Sequence, residues 1–373
     1  MKNRRKTMRK SLPGIILTGI LAAALTGCGG SEGELSTSGS YGVQQEETDK
    51  IEIPDGQELK ADYTTVKDLK VEKGTYIAMV LKDLDNPYWK AVKEGAEKAV
   101  EELNASLGYT GEDQVRLTVD GVQGRDGENV DSQIDTIDAV LAENPAALCL
   151  AVIDRESCTA QLEAASESDI PVIILDSGMQ NQDVGAAAVC MTDNQQAAAE
   201  AARKLCGELG EKGQIAVFAH GESSETSRER AEGFCSEVQE KYPQMEIVRV
   251  AYETEEGLPV AETLEQYPDL RGIFCTSATV TEQVLEELGN TQENKILVAG
   301  FDANADQLRA IREGKLFGTV CQNPRGMGYV SVTAALRAVS GFSMDFFIDT
   351  GYVWLDQGNI DDESNQKYLY DGI

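Results

Sequence analysis

The chain reads as an α/β protein of two similar lobes, each built on a parallel sheet. Three observations predict it. Apolar runs of strand length alternate with helix-spaced apolar patterns over about 300 of the 373 residues. The runs fall into two successive groups of four, with further segments after them. That length is also too great for one ordinary core and suits two.

Taken in order, Tyr76–Leu81 is a near-continuous apolar run, as expected of a strand buried on both faces. Asn86 and Pro87 follow as N-cap and first helical residue. Val92, Ala96, Ala99, Val100 and Leu103 then recur at helical spacing, which leaves Tyr88 and Trp89 in the helix's first turn. Val115–Asp120, Ala147–Ile153 and Pro171–Asp176 complete the first group of strands, with a helix through Val130, Ile134, Ile137 and Leu141. The second group is Gln214–His220, Glu246–Tyr252, Gly272–Thr276 and Lys295–Phe301, with helices at Gln195–Leu209 and Arg228–Lys241. Two late strands, Phe317–Gln322 and Phe347–Leu355, flank a helix at Met327–Val339 and leave room for the chain to cross between lobes.

Ahead of this body, residues 1–27 carry six cations and no acid, then a short apolar segment from Leu12 to Leu25 broken by Pro13 and Gly14. The segment is too short for a spanning helix. It runs into Leu25-Thr26-Gly27-Cys28, which resembles a bacterial lipoprotein signal peptide with its lipobox and makes Cys28 the lipidated residue. An ordinary signal peptide or an N-terminal anchor is the alternative. Residues 28–73, polar and without apolar period, read as a flexible tether, and residues 361–373 as a C-terminal tail. Without the leader, 27 Lys and Arg face 64 Asp and Glu, a net charge near −37. Such a body repels nucleic acid and anionic headgroups, so it requires a lipid rather than a basic patch to stay at a membrane. Seven cysteines remain beyond Cys28, an odd number with no CxxC, and Cys149, Cys190, Cys275 and Cys321 sit in apolar runs. Free core thiols are expected, with no metal site.

Candidate functional groups gather at the carboxyl ends of strands, where open α/β sheets bind ligands. They are Asn86, Tyr88 and Trp89 after the first strand, Asp176 after the fourth, Arg228 at the start of the helix after lobe two's first strand, Asp302 after that lobe's fourth strand, and Gln322 after the next. Each has a structural alternative: a carboxylate capping turn amides, an aromatic in the core, a cation paired on its own helix. His220 is the only histidine and ends a strand, more simply a pocket or strand-end polar group than a catalyst. No GxSxG, HExxH, Walker or dinucleotide-binding glycine pattern occurs, so no cofactor is expected. Stacking faces, carboxylates and a guanidinium suit a small, neutral, hydroxyl-rich ligand. In an open cleft Trp89 and Arg228 are expected to be partly solvated, so that truncating either weakens binding and leaves stability nearly unchanged.

LDNPYW (84–89), PVIILDSGM (171–179), TDN (192–194), SRERAEGF (227–234), VAGFDANAD (298–306) and GTVCQNP (318–324) stand in one order along most of the chain. In this the sequence resembles the type I periplasmic binding proteins of the ribose and galactose group. The resemblance implies two Rossmann-like lobes joined by a three-segment hinge, with crossovers near Thr192–Asp193, Gln322–Asn323 and Asp349–Thr350 and the ligand cleft between. The lobes are then 74–192 with 323–349, and 193–322 with 350–360. It implies that Tyr88 and Trp89 stack on a sugar while Asp176, Asp302, Arg228 and Gln322 bind its hydroxyls. Two departures stand out, Ser177 where ribose-type members carry arginine, and Ser277-Ala278 where many carry Asn-Asp. Ser277 takes the corresponding place in the pocket, and the ligand need not be a simple pentose or hexose. The implied protein is a monomeric, non-enzymatic, extracytoplasmic lipoprotein that feeds an ABC permease or, alternatively, a membrane sensor kinase or chemoreceptor.

Overall fold

Continuous runs of branched and aliphatic residues, bounded by turns, set the strands of a computed structural model that describes residues 61–122, 129–154, 157–177, 185–289 and 296–370. In chain order these residues form β1 (Tyr76–Leu81), α1 (Pro87–Leu107), β2 (Arg116–Gly121), α2 (Val130–Ala142), β3 (Ala147–Leu150), α3 (Thr159–Glu167), β4 (Val172–Leu175) and β5 (Ala186–Met191). There follow α4 (Asn194–Glu208), β6 (Lys212–Ala219), α5 (Glu225–Lys241), β7 (Gln244–Tyr252), α6 (Val260–Gln266), β8 (Leu270–Cys275), α7 (Ala278–Gly289), β9 (Leu297–Phe301) and α8 (Ala305–Arg312). The last are β10 (Gly318–Gln322), α9 (Pro324–Val339), β11 (Phe347–Asp349) and β12 (Tyr352–Asp356).

Two six-stranded sheets result, ordered β11-β5-β4-β3-β1-β2 and β12-β10-β9-β8-β6-β7. Every pairing is parallel except that of β12 with β10. The two orders are the same once β6 is set against β1 and β10 against β5. The helices after the fifth strands are exchanged. The one after β5, α4, packs on α5 in lobe two, and the one after β10, α9, packs on α1 in lobe one. Both helix pairs approach closely because glycine removes the obstacle. A Cβ at Gly95 would overlap the Arg325 backbone, one at Gly328 the Val92 backbone, and one at Gly233 that of Gln195.

Three expectations need correction. Phe347–Leu355 is not one strand: β11 joins the first sheet and β12 the second, and the chain crosses between them at Thr350 and Gly351. Gly351 there has φ 82°, a left-handed turn that suits glycine. The tether does not extend to residue 73. Tyr63, Val66, Leu69 and Val71 are buried in the lobe-one core, and the Tyr63 hydroxyl donates to Asp345 Oδ2 at 3.1 Å. Nor is the C-terminus a loose tail. Glu363–Tyr368 forms a 3-10 helix, and Tyr368 and Leu369 are buried in the lobe-two core. Cys28, the leader and residues 28–60 lie outside the described residues.

The crossings are tied to one another. Asp349 Oδ1 accepts from the amides of Asp193 (3.1 Å) and Gly351 (3.0 Å), and Asn323 Nδ2 donates to Thr350 O at 3.1 Å. Burial raises the Asp349 carboxyl above its usual range, against the two amides that lower it. Cys149, Cys190, Cys275 and Cys321 are buried free thiols, as are Cys158 and Cys206, and Cys235 is free and half-buried.

Candidate functional site

The parallel sheets aim their carboxyl ends at a shared cavity of about 390 Å³ between the lobes. At the end of β4 and of β9 stands a carboxylate, Asp176 and Asp302. Both are left-handed, with φ of 63° and 69°. Aspartate tolerates this conformation, at a cost on the order of 1 kcal/mol or more. Each is held by its amide, which donates to the neighbouring strand: Asp176 N to Cys190 O at 3.0 Å, Asp302 N to Val320 O at 2.8 Å. The turn carries each carboxylate to the cavity rather than into the next strand.

Each acid is held by a neighbour at the cavity. Tyr88 Oη donates to Asp176 Oδ1 at 2.7 Å, and Gln322 Nε2 donates to Asp302 Oδ1 at 2.8 Å. Gln322 Oε1 accepts from Thr192 Oγ1 at 3.1 Å and lies 3.5 Å from Tyr88 Oη. Tyr88 has one proton to give, and the shorter contact takes it. Burial, with the nearby Asp176, lifts the Tyr88 phenol well above its ordinary value. Burial also raises the Asp302 carboxyl, against the opposing pull of Arg230, Gln322 and the Ala278 amide.

Asn86 lines the cavity and caps α1, accepting from Tyr88 N at 2.9 Å. Trp89 meets the Tyr88 ring edge-on with centroids 5.1 Å apart. It is only 4 % exposed and belongs to the lobe-one core as well as to the cavity wall. The expected solvation of Trp89 is therefore wrong: α1, which presents it, packs closely on α9, and the ring joins the lobe-one core. Ser277 lines the cavity, and its Oγ accepts from Val280 N at 3.3 Å at the start of α7.

Arg228 is the residue the structure does not bring to the cavity. Its Nη1 donates to Glu222 O at 2.8 Å on the exposed side of α5. Arg230 takes that place, 5 % exposed, with Nε on Asn194 Oδ1 (2.8 Å) and Nη1 on Thr276 O (3.0 Å). Its guanidinium lies 3.7 Å from the centroid of the Phe301 ring, a buried cation–π contact. Residues two apart on a helix face opposite sides, so SRER forces a choice. The usable signal was Gly233 and Phe234, three and four residues on and buried against the core, which put Arg230 on the inward face.

Sequence reasoning also missed Lys82, Thr226 and Tyr370, all at the cavity. Lys82 directly follows β1; its Nζ is 3.6 Å from Asp176 Oδ2 and 5.8 Å from the Trp89 ring centroid. Ser177 turns inward instead, donating to Val152 O at 3.3 Å. The cation beside Asp176 is thus Lys82. His220 lines the cavity with Nδ1 2.8 Å from Thr276 Oγ1 and Nε2 3.2 Å from Ser224 Oγ. Burial, Arg230 and Lys82 hold it down at about 3, so it is neutral at physiological pH. Lys82 and Arg230 therefore face Asp176 and Asp302, with Glu282 a third carboxylate at the cavity that accepts from Asn304 Nδ2 at 2.6 Å, and the walls between them are aromatic and hydroxyl-bearing. Among the described residues no group of three or more His, Cys, Asp or Glu is placed to hold a metal.

The periplasmic binding protein domain profile matches residues 77–342, from β1 to just beyond α9. The chain belongs to that family. Among the periplasmic binding proteins it resembles is the ribose import binding protein RbsB of Bacillus subtilis, 25 % identical over 260 residues, 69 % of this chain and 80 % of that one. The D-allose-binding periplasmic protein of Escherichia coli is 24 % identical over 261 residues, 67 % of this chain and 80 % of the other. A sugar-binding protein of a sugar ABC transporter from Bacillus halodurans superposes with a TM-score of 0.68 at 25 % identity, over 77 % of this chain and 99 % of its own. An ABC transporter solute-binding protein from Agrobacterium vitis with bound D-fucose gives 0.65 at 26 %, over 79 % of this chain and 100 % of its own. Among the described residues no helix is long and apolar enough to cross a membrane.

Proposed function

We propose that the protein captures a monosaccharide or closely similar polyol outside the cytoplasmic membrane and delivers it to the permease of an ABC importer. The observation that carries this reading is the pair of carboxylates at matching strand ends of one cavity, Asp176 bonded to Tyr88 and beside Lys82, Asp302 bonded to Gln322 and near Arg230. A neutral ligand with several hydroxyls can donate to both carboxylates and accept from Lys82 and Arg230 without leaving a buried charge unpaired. Trp89 and Tyr88 offer apolar faces to its C–H side. Asn86, Ser277 and Gln322 complete the polar rim. The relatives named for ribose import and for D-allose binding and the D-fucose-bound neighbour support the same ligand class.

The body acts as a monomer and closes by rotation about its three crossings, bringing Arg230 toward Trp89. It is a carrier, not a catalyst. Cys28, lipidated at the end of the leader, anchors it to the outer face of the membrane; two or more acyl chains there meet the two-signal requirement for stable anchoring.

Mass spectrometry of ligand carried through purification, followed by calorimetry with D-ribose, D-allose and D-fucose, tests the reading. One sugar per protein is expected, with a change in tryptophan fluorescence. A protein that carries no sugar and binds none of the three overturns it.

A further inference from the structure

We propose that Tyr370, delivered by the C-terminal segment, is a specificity-determining wall of the cleft that limits the ligand to one small sugar ring. This rests on the monosaccharide reading above. After β12 the chain turns back along lobe two, where Ile360, Tyr368 and Leu369 are buried. Two bonds pin the backbone just before Tyr370. Cys321 Sγ donates to Tyr368 O at 3.4 Å, and Arg325 Nη1 donates to Leu369 O at 2.6 Å.

The ring itself is held at its far end. Its hydroxyl accepts from Ala303 N at 3.0 Å, one residue beyond the lobe-two carboxylate Asp302. Its face and edge meet Tyr88 of lobe one at right angles, with centroids 5.5 Å apart. Tyr370 thus packs against the cores of both lobes while lining the cavity. A ring carried on a pinned backbone and packed against the cores of both lobes cannot swing aside for a larger ligand. It stands against Tyr88 of lobe one and against Ala303, the residue after Asp302, in lobe two. The ring therefore sets how far a ligand extends on that side.

D-ribose and D-allose share ring hydroxyl configuration and differ by one hydroxymethyl group, so their affinity ratio reads the space available. Calorimetry on the full mature chain compares wild type, Tyr370→Phe and Tyr370→Ala. Tyr370→Ala should shift the ratio toward D-allose by roughly ten-fold, the lower end of what one added group is worth in a fitted pocket. Tyr370→Phe keeps the wall and should keep the ratio. Equal weakening of both sugars in Tyr370→Ala would show a merely structural residue and overturn the proposal. Should Tyr370→Ala fail to fold, Tyr370→Leu, narrower but apolar, should shift the ratio the same way.

A second measurement needs no sugar. In a Trp354→Phe background Trp89 is the only tryptophan, and acrylamide quenching of its fluorescence should rise in Tyr370→Ala and not in Tyr370→Phe. If wild type binds neither sugar, the monosaccharide reading falls, and the quenching result alone judges the wall. Unchanged quenching overturns it.

Discussion

The two lobes share a strand order and put different chemistry at equivalent places. After the first strand, lobe one has Lys82 and lobe two has His220. In the first turn of the next helix, lobe one has Tyr88 and Trp89 where lobe two has Thr226 and Ser227. After the fourth strand both have an aspartate in the same left-handed conformation. Lobe one pairs its carboxylate with a lysine held at the cavity surface. Lobe two keeps its first-strand residue neutral and brings its cation from further along the helix, as Arg230 buried on Phe301. One lobe supplies flat faces, the other fixed hydrogen-bond donors. A ring with an apolar side and a polar rim needs both, which is why neither half would bind alone.

The sharpest way to break this contrast is at the aromatic half. Trp89→Ala removes a ring that is both cavity wall and core, and should cost about 3–5 kcal/mol of stability by the large-to-small rule, as well as affinity. Urea unfolding of the ligand-free protein measures it. A urea unfolding curve superimposable on wild type would mean Trp89 contributes to the cleft alone.

The polar half should respond next. Arg230→Ala leaves Asn194 Oδ1 and Thr276 O without their donor and removes the cation that offsets Asp302. Bonds to a charged group are worth about 1.5–3 kcal/mol each, so a loss of roughly that size in stability is expected, with weaker sugar binding. Arg228→Ala, two residues away on the outer face, should stay within about 0.5 kcal/mol and bind normally. Parallel thermal melts and titrations compare them. Equal effects, or a larger one at Arg228, would reverse the assignment.

Much of this was legible in the chain, and the exceptions have physical reasons. The strands read correctly where burial on both faces made their runs continuous, as in Tyr76–Leu81, and the two aspartates could be found because each ends such a run. β5 was missed because Ala186-Ala187-Ala188 carries little hydrophobic signal. The β11–β12 division hides inside one apolar run because both halves are buried; the family resemblance placed the crossing near Asp349–Thr350, and Gly351 is its local mark. Tyr370 lay beyond reach for another reason. Its place depends on contacts with Ala303 and Tyr88, some 67 and 282 residues distant, and no local period encodes them. Lys82 was overlooked because a lysine after a strand ordinarily reads as a solvated turn.

The smallest effect separates the two first-strand residues by pH. His220 is held at about 3, below its ordinary 6.5, first by burial and then by Arg230 and Lys82. Between those values the unfolded chain binds a proton that the folded protein refuses. Its contribution to stability is therefore complete above pH 6.5 and is lost as pH falls toward 3, with a slope of at most about 1.4 kcal/mol per pH unit. Asp302 and Asp349 act oppositely, because burial raises both and acidification relieves them. Their offset is the same in a His220→Gln variant, which keeps polar groups near Thr276 and Ser224. The difference between wild type and variant thus isolates the histidine. Urea unfolding from pH 7 to pH 4 should show wild type losing stability more steeply than His220→Gln. Parallel curves would mean that His220 takes up its proton in the folded protein, and that lobe two carries a second cation at the cleft after all.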